Sequence, residues 1–208
     1  MTLSWKLLCS LISAAALAAS AAQAQTPVER GKYLVTIAAV QRPTRDAVTL
    51  VLACPEGQPF VFRPGQFLTL VVTLPDGQTA RRAYSICVTP GELPNHQVAV
   101  TCKRVPGGLV SSFLVDHARE GAALCVLGPA GHFGEASDQG DLLLIGGGSG
   151  ITPLRSIARA ALGRGQRVVL VYGNRGPEDI LFAADIDALR AAHPGRFTVQ
   201  HVLETPPA

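Results

Sequence analysis

A glycine-rich turn between an aliphatic run and a helical pattern carries the first chemical signal in this chain. Leu142–Ile145 precede Gly146-Gly-Gly-Ser-Gly150, and Thr152-Pro153 then opens a segment with a helical apolar period. The pattern predicts a strand buried on both faces at the centre of a parallel sheet, a turn open to close approach, and a helix N-terminus. Free N–H groups and the helix dipole favour an anion there, although a turn that binds nothing fits equally well.

A second group of residues, Arg82-Ala83-Tyr84-Ser85, could bind a flat heterocycle that carries a phosphate. A guanidinium suits a pyrophosphate because its fork is charged and bidentate. A tyrosine face can stack on a ring, and a neighbouring hydroxyl can hydrogen-bond a ring nitrogen. Taken alone, the tetrad is equally consistent with a solvated arginine beside a core tyrosine.

A third candidate lies at Lys103-Arg-Val-Pro-Gly-Gly-Leu-Val-Ser-Ser112, where a glycine pair precedes a helical pattern. The N-terminal amides of that helix and the Ser111 hydroxyl are placed for a second phosphate contact. The alternative is a plain turn at Gly107-Gly108, preceded by a solvated strand end at Lys103 and Arg104.

Composition limits the class of protein. The chain has 208 residues, 48% of them hydrophobic and 16% charged, with a net charge of +3 and no basic run. These values predict one large or two small globular domains and argue against disorder and nucleic-acid binding. The five cysteines form no Cys-x-x-Cys pair and the histidines show no metal spacing, so no metal site is predicted. Cysteines in apolar strands are expected to be small buried hydrophobes, and disulfides stay possible if the protein is exported.

The first 24 residues have the three parts of a secretory signal peptide. Lys6 is followed by the apolar segment Leu7–Ala18 and by Ala22-Gln23-Ala24, a small-x-small cleavage site. A periplasmic or secreted location is therefore expected, the alternative being an uncleaved helix; no membrane span is predicted in the mature chain. Residues 25–33 are expected to be a linker. Their start resembles the opening of exported c-type cytochromes, but the haem motif Cys-x-x-Cys-His is absent.

Hydrophobic periodicity divides the mature chain into two regions. Residues 34–136 alternate with period two between Pro-Gly turns, which predicts a small antiparallel β-barrel; residues 137–208 alternate strand and helix, which predicts an incomplete doubly wound α/β domain. Barrel strands are expected at 35–40, 48–53, 60–62, 66–72, 97–102 and 123–127, with one helix at 109–120. The second region is expected to have strands at 142–145, 167–172 and 197–203 and helices at 154–162 and 177–192.

The order of the motifs resembles the ferredoxin–NADP reductase superfamily. Within it, the chain is most similar to flavin reductase modules of ferredoxin-linked oxygenases and of phenylacetate-type degradation systems. The resemblance spans residues 34–204 and rests on Pro64-Gly-Gln-Phe67, Arg-Ala-Tyr-Ser, Lys-Arg-x-x-Gly-Gly-x-x-Ser, Gly128-Pro-x-Gly-x-Phe133, Gly-Gly-Gly-Ser-Gly-Ile-Thr-Pro and Tyr172-Gly-Asn-Arg175.

The resemblance implies an FAD site on the barrel. Arg82 would hold the FAD pyrophosphate and Tyr84 would stack on the isoalloxazine, with Ser85 near flavin N5; Ser85 and Tyr84 are thus the expected catalytic residues. The helix N-terminus would face the FAD phosphates through Gly107, Gly108, Leu109, Val110 and Ser111.

The resemblance also implies an NAD(P)H site in the α/β region. The nicotinamide dinucleotide would be cradled by Gly147, Gly148, Ser149, Gly150 and Thr152. Its adenosine side would be lined by Tyr172, Asn174 and Arg175. Glu204-Thr205 stands where many members of the family have Ser-Arg for the NADP 2′-phosphate, so the choice between NADH and NADPH stays open.

The expected function is that of an FAD-dependent NAD(P)H oxidoreductase module. Hydride would pass from nicotinamide to flavin, and electrons would then pass to an iron–sulfur or haem acceptor, such as a ferredoxin or an iron–sulfur oxygenase component. The family continues with further strands and a Cys-Gly-Pro-like motif that this sequence does not contain. A non-catalytic FAD-binding fragment is therefore the first alternative, and an exported electron-transfer protein is the second.

Overall fold

The computed structural model describes residues 31–55, 58–134 and 140–204. The predicted signal peptide and all but the last three residues of the predicted linker lie outside these ranges. Among the helices of the described ranges, none is long and apolar enough to cross a membrane.

The first region folds into one antiparallel sheet of six strands. They are β1 (Lys32–Thr44), β2 (Ala47–Ala53), β3 (Phe67–Thr73), β4 (Thr79–Ser85), β5 (Gln97–Lys103) and β6 (Ala123–Ala130). The order is β4-β3-β6-β1-β2-β5, so β4 and β5 are the edges. The sheet curls until these edges meet at a single bridge, Ile86 with Val100, supported by a 3.0 Å hydrogen bond from the Cys87 N–H to the Ala99 carbonyl. The predicted barrel is thus present and is joined at one point.

Apolar side chains of β2, β3 and β5 fill the barrel, because every second residue of a strand points inward. Helix α1 (Leu109–His117) covers one end of it with the buried residues Val110, Leu114 and Val115. Cys54, Cys87 and Cys102 are buried as free thiols, and Cys125 is half-buried. The expectation of buried hydrophobic cysteines is confirmed for the first three.

Several predicted boundaries in the barrel were wrong. The segment 60–62 is extended but lies in no strand; the Phe60 N–H donates to the carbonyl of Asn95 at 2.9 Å, and Val61 is 82% exposed. β1 begins at Lys32, inside the predicted linker, because its first residues pair with β6. The predicted helix 109–120 ends at His117.

The second region contains three parallel strands and two helices. These are β7 (Leu142–Gly147), α2 (Ile151–Gly163), β8 (Val168–Asn174), α3 (Ala183–Ala192) and β9 (Phe197–Leu203). The strand order is β7-β8-β9. The helix predicted over 177–192 divides into a short 3₁₀ turn, Pro177–Asp179, and α3. The chain changes direction between them at Phe182, whose φ of 61° is left-handed.

Both helices pack on one face of this sheet. Leu144 and Leu170 share a register on the covered face and contact the cluster formed by α2 and α3. Within the described residues no element covers the opposite face: Leu143 is 64% exposed, Ile145 69% and Val169 41%. The prediction that 142–145 is a central strand buried on both faces was wrong. Within the described residues β7 is an edge strand, and no element packs on its second face, so the side chains on that face point to solvent.

We expect this uncovered face to bind hydrophobic dyes, because adjacent exposed aliphatic side chains form an apolar patch that can bind apolar molecules. Threonine is β-branched and favours strands, but it has less apolar surface than leucine or isoleucine. Replacing Leu143 and Ile145 together by threonine should therefore lower the fluorescence of bound anilinonaphthalene sulfonate several-fold. Val61→Thr is the matched control, since Val61 is 82% exposed but lies in the loop before β3. Equal dye fluorescence for the double variant and the wild type would contradict the assignment.

A cleft between the barrel and the glycine turn as candidate functional site

An open cleft of about 540 Å³ lies where the barrel meets the N-terminus of α2. It brings together the three motifs that sequence analysis singled out. Its walls are formed by Arg82, Ala83, Tyr84, Ser85, Thr101, Lys103, Val105, Gly108, Leu109, Val110, Ser111, Ser149, Gly150, Thr152 and Pro153. These residues come from three stretches separated by many positions in sequence.

Strand β4 supplies the first wall. The exposed Arg82 guanidinium donates to the Arg81 carbonyl at 2.7 Å, which leaves most of its N–H groups available to an anion. The half-buried Tyr84 ring packs against the barrel core. Burial raises the pKa of Tyr84 well above its usual range, and the nearby Cys102 thiol, which is hydrogen-bonded to the Tyr84 hydroxyl, raises it further. Tyr84 is therefore a neutral, anchored aromatic surface beside Ser85.

The N-terminus of α1 supplies the second wall. Its N-cap, Gly108, makes no side-chain cap hydrogen bond, and the residues Gly108–Ser111 line the cleft. The Ser111 hydroxyl accepts the Val105 N–H at 3.1 Å and approaches the Gly108 carbonyl at 3.4 Å. Ser111 thus shapes the turn before the helix in addition to lining the cleft. Gly107 adopts a positive φ of 72° beside it.

The glycine turn supplies the third wall. Gly148–Gly150 form one turn of 3₁₀ helix that runs directly into α2. The Thr152 hydroxyl donates to the Ser149 carbonyl at 3.0 Å, and the Thr152 side chain lines the cleft together with Tyr84 and Ser85. The strand, the turn and the helix follow one another as predicted, and the phosphate contact expected at this helix N-terminus stays a prediction.

Tyr172 lies behind this turn and is fully buried. Its hydroxyl donates to the Gly148 carbonyl at 3.0 Å and accepts the Leu181 N–H at 3.2 Å. Burial raises the pKa of Tyr172 to about 12, so the hydroxyl keeps its proton. The structure therefore gives Tyr172 a role in holding the turn, and its predicted contact with adenosine stays a prediction.

Tyr172→Phe is expected to lower the free energy of unfolding by about 1–3 kcal/mol, because it leaves the buried Leu181 N–H without an acceptor. Chemical denaturation followed by circular dichroism measures this change. The affinity for the FAD that is expected to bind the barrel should stay within about twofold of the wild-type value, since Tyr172 lies outside the cleft wall. Unchanged stability would show that the two hydrogen bonds contribute nothing.

Asn174 and Arg175, the other predicted adenosine-side residues, lie at the end of β8, outside the cleft wall. Asn174 is 7% exposed, and its side-chain amide lies beside the Tyr172 hydroxyl, where it acts against the burial that raises the pKa of Tyr172. Arg175 pairs with Asp179 at 2.7 Å and with Asp46 at 3.4 Å. The predicted contacts of Asn174 and Arg175 with adenosine stay predictions.

Sequence reasoning missed the ion pairs that join the two regions. The composition of the segment 177–192 favours a solvated helix face for its aspartates, yet Asp179 and Asp185 are both withdrawn from solvent. The Asp179 side chain is 4% exposed and lies 3.5 Å from the Lys103 ammonium, whereas Asp185 is half-buried against Arg155 and Arg159. One signal was available: Arg155 interrupts the apolar face of α2. The described residues contain no group of three or more His, Cys, Asp and Glu side chains that could hold a metal.

Comparison with known families assigns both regions. Residues 34–134 match the model of the oxidoreductase FAD-binding domain, and residues 144–208 match that of the oxidoreductase NAD-binding domain. The chain belongs to the ferredoxin reductase-type FAD/NAD-binding oxidoreductases. The family that the motif order resembles is thereby confirmed, as are the fold class and the two cofactors.

Relatives of this oxidoreductase chain are reductase components of oxygenase systems. It is 41% identical over 184 residues to the ferredoxin reductase component of 3-ketosteroid-9-alpha-monooxygenase from Rhodococcus rhodochrous, covering 87% of this chain and 52% of the relative. It is 39% identical over 173 residues to a component of the 1,2-phenylacetyl-CoA epoxidase of Escherichia coli K12, covering 79% and 47%. The predicted similarity to phenylacetate-type systems is confirmed.

Solved structures agree with this assignment. The cytochrome P450 reductase GcoB of Amycolatopsis superposes with a TM-score of 0.74 at 33% identity, over 85% of this chain and 53% of that one. Phthalate dioxygenase reductase superposes with a TM-score of 0.68 at 30% identity, over 83% and 52%. This chain spans about half the length of the relatives that it matches.

Proposed function

We propose that this chain is an FAD-dependent NAD(P)H oxidoreductase module of an oxygenase-type electron-transfer system. The observation that carries the proposal is the cleft, where the Arg82–Ser85 strand, the α1 N-terminus and the glycine turn with Thr152 share one surface. An FAD fits this donor set, because a cation and helix amides suit its phosphates while the Tyr84 ring suits its heterocycle. Bound FAD would supply hydride acceptance from NAD(P)H and stepwise release of two electrons.

The chain's own residues would bind and orient. Arg82 would neutralise the pyrophosphate, and Gly108–Ser111 would direct amides to it. Tyr84 would hold one face of the flavin, with Ser85 at the edge where the nicotinamide arrives. The turn Gly147–Gly150, with Thr152, would hold the dinucleotide phosphates and bring the nicotinamide over the flavin. By analogy with the relatives, the electron acceptor would be a ferredoxin or an iron–sulfur oxygenase component.

A non-catalytic FAD-binding module is the second candidate, and the bare sheet face favours it. In the described residues the α/β region has three strands with helices packed on one face only, which corresponds to one half of a doubly wound dinucleotide-binding sheet. In that case the barrel would bind FAD and the flavin would not be reduced.

One spectroscopic experiment separates the two. The protein is reconstituted with FAD, and its visible absorption is followed anaerobically after addition of NADH or NADPH. Prompt bleaching of the flavin bands supports the reductase, and the faster donor identifies the preferred nicotinamide. Persistent bands with both donors support the FAD-binding module. Failure to retain FAD would overturn both candidates.

We also propose export, on the sequence pattern of residues 1–24 alone. A fusion of the complete chain to alkaline phosphatase, expressed in bacteria, should show phosphatase activity that disappears when residues 1–24 are deleted. Activity that does not depend on these residues would contradict export.

A further inference from the structure

Among the described residues, Arg155 is the most completely bonded charged side chain at the junction of the two regions. It lies on α2 two residues after Pro153, and its side chain is 9% exposed. Its Nε donates to Asp185 at 2.8 Å, and its Nη2 donates to Glu92 at 2.6 Å and to Asp185 at 3.1 Å. Its Nη1 donates to Glu92 at 3.3 Å and to the carbonyl of Cys87. Five hydrogen bonds thus use the full donor capacity of a guanidinium.

These bonds cross from one region to the other. Cys87 and Glu92 belong to the barrel, and Cys87 follows Ser85 by two positions on the segment that leaves β4. Asp185 belongs to α3, in the α/β region. Arg155 therefore ties together the end of the strand with Tyr84 and Ser85, the start of the helix with Thr152, and α3 behind them.

Other contacts support the same junction without replacing this one. The Gly65 N–H donates to the Ser156 hydroxyl at 3.2 Å, and the Arg155 guanidinium lies 5.2 Å from the centre of the Phe182 ring. Arg159 also reaches Asp185 at 2.7 Å and Glu92 at 3.5 Å, but its side chain is 30% exposed. Arg159 can share the charge of the two carboxylates. Arg155 differs from Arg159 because it also donates to the backbone carbonyl of Cys87 in the barrel.

We propose that Arg155 is a positioning residue that sets the distance between the glycine turn of the α/β region and the flavin strand of the barrel. The inference rests on the proposed function. A nicotinamide held at the turn and a flavin held at Tyr84 and Ser85 react only when their reacting atoms lie close and aligned. A misplacement of about 1 Å is enough to slow such a reaction about 100-fold.

The test uses the FAD-loaded full chain in rapid anaerobic mixing with NADH or NADPH. Arg155→Met removes all five hydrogen bonds, and Arg155→Lys keeps the charge but loses the planar fork. We expect Arg155→Met to lower the limiting rate of flavin reduction at saturating nicotinamide by roughly 10- to 100-fold. Arg155→Lys should recover part of this loss.

Two further constants separate positioning from binding. The dissociation constant for FAD and the nicotinamide concentration at half-maximal rate should each stay within about threefold, because Arg155 lies outside the cleft wall. Arg190→Met is the matched control, since Arg190 on α3 is exposed and forms a local pair with Asp187. An unchanged limiting rate, or a loss of rate fully explained by weaker FAD binding, would overturn the proposal.

A second readout keeps the inference separate from the proposed function. Hydrogen–deuterium exchange of the FAD-loaded protein should be faster in Arg155→Met at residues 85–88 and 146–153, with no change in β2. If the flavin of the wild-type protein is not reduced by either nicotinamide, the reductase proposal fails. The exchange pattern still tests whether Arg155 connects the two regions. Unchanged exchange in both segments would overturn it. Glu92→Gln, which keeps the side-chain size, replaces Arg155→Met if that variant does not fold, with the same exchange pattern expected.

Discussion

Arg82→Ala is expected to weaken FAD binding roughly 10- to 100-fold, the loss that follows from removing one charge-assisted contact of about 1.5–3 kcal/mol. Arg82 lines the cleft on β4 and carries an exposed guanidinium that donates to the Arg81 carbonyl. Its removal therefore takes away a pyrophosphate partner without opening the barrel core. Titration of the apoprotein with FAD, followed by quenching of flavin fluorescence, measures the change.

Arg81→Ala is the control for Arg82. The two arginines are adjacent on the same exposed strand, but Arg81 does not line the cleft. Net charge and strand position are thus matched, and only the cleft contact differs. Equal losses for both variants would mean that overall charge, rather than a contact at Arg82, attracts FAD. No loss for either would remove Arg82 from the flavin site.

Gly65→Ala is expected to destabilise the fold by about 4 kcal/mol, near the upper end for a single substitution. Gly65 has a φ of +91°, and a Cβ built there would lie 1.8 Å from the Phe133 carbonyl oxygen. A backbone atom cannot move aside as the end of a side chain can. The same residue donates its N–H to Ser156 of α2, so the strain would reach the junction of the two regions.

Gly77→Ala separates the two causes of this loss. Gly77 has a comparable φ of +80°, but its Cβ would meet no heavy atom within 4 Å. Its substitution should cost only the left-handed penalty of about 1–2 kcal/mol. The difference between the two variants in chemical denaturation reports the clash with Phe133. A difference below about 1 kcal/mol would show that the chain relaxes around the new methyl group.

Local signals explain why much of this chain was predictable. The period-two runs of the barrel and the strand–helix alternation after Asp141 depend on neighbours in sequence, and so do Pro-Gly turns. The three motifs that line the cleft were also found, because each is a short segment of distinctive composition: two contain glycine turns before a helix, and one combines an arginine, a tyrosine and a serine. Their presence on one surface was inferred only through the family resemblance.

Where local signals misled, the cause was a contact over a long distance in sequence that either forms or is missing. The aliphatic run Leu142–Ile145 has the composition of a central strand, yet burial depends on what packs against each face, and in the described structure one face is bare. Segment 60–62 alternates like a strand, but no neighbour within the described ranges forms a ladder with it. Asp185 has the setting of a solvated helix residue until α2 brings two arginines to it.

The sequence by itself determined the fold class, the positions of the three motifs that line the cleft and the identity of the family. Only the tertiary structure decided how the two regions are held together. Arg155 and the Cys87 carbonyl are 68 positions apart, and Lys103 and Asp179 are 76 apart. Pairs at such separations leave no periodic trace, because their partners are chosen by the packing of whole elements rather than by adjacent residues. Those pairs hold β4, with Tyr84 and Ser85, in its position relative to the glycine turn.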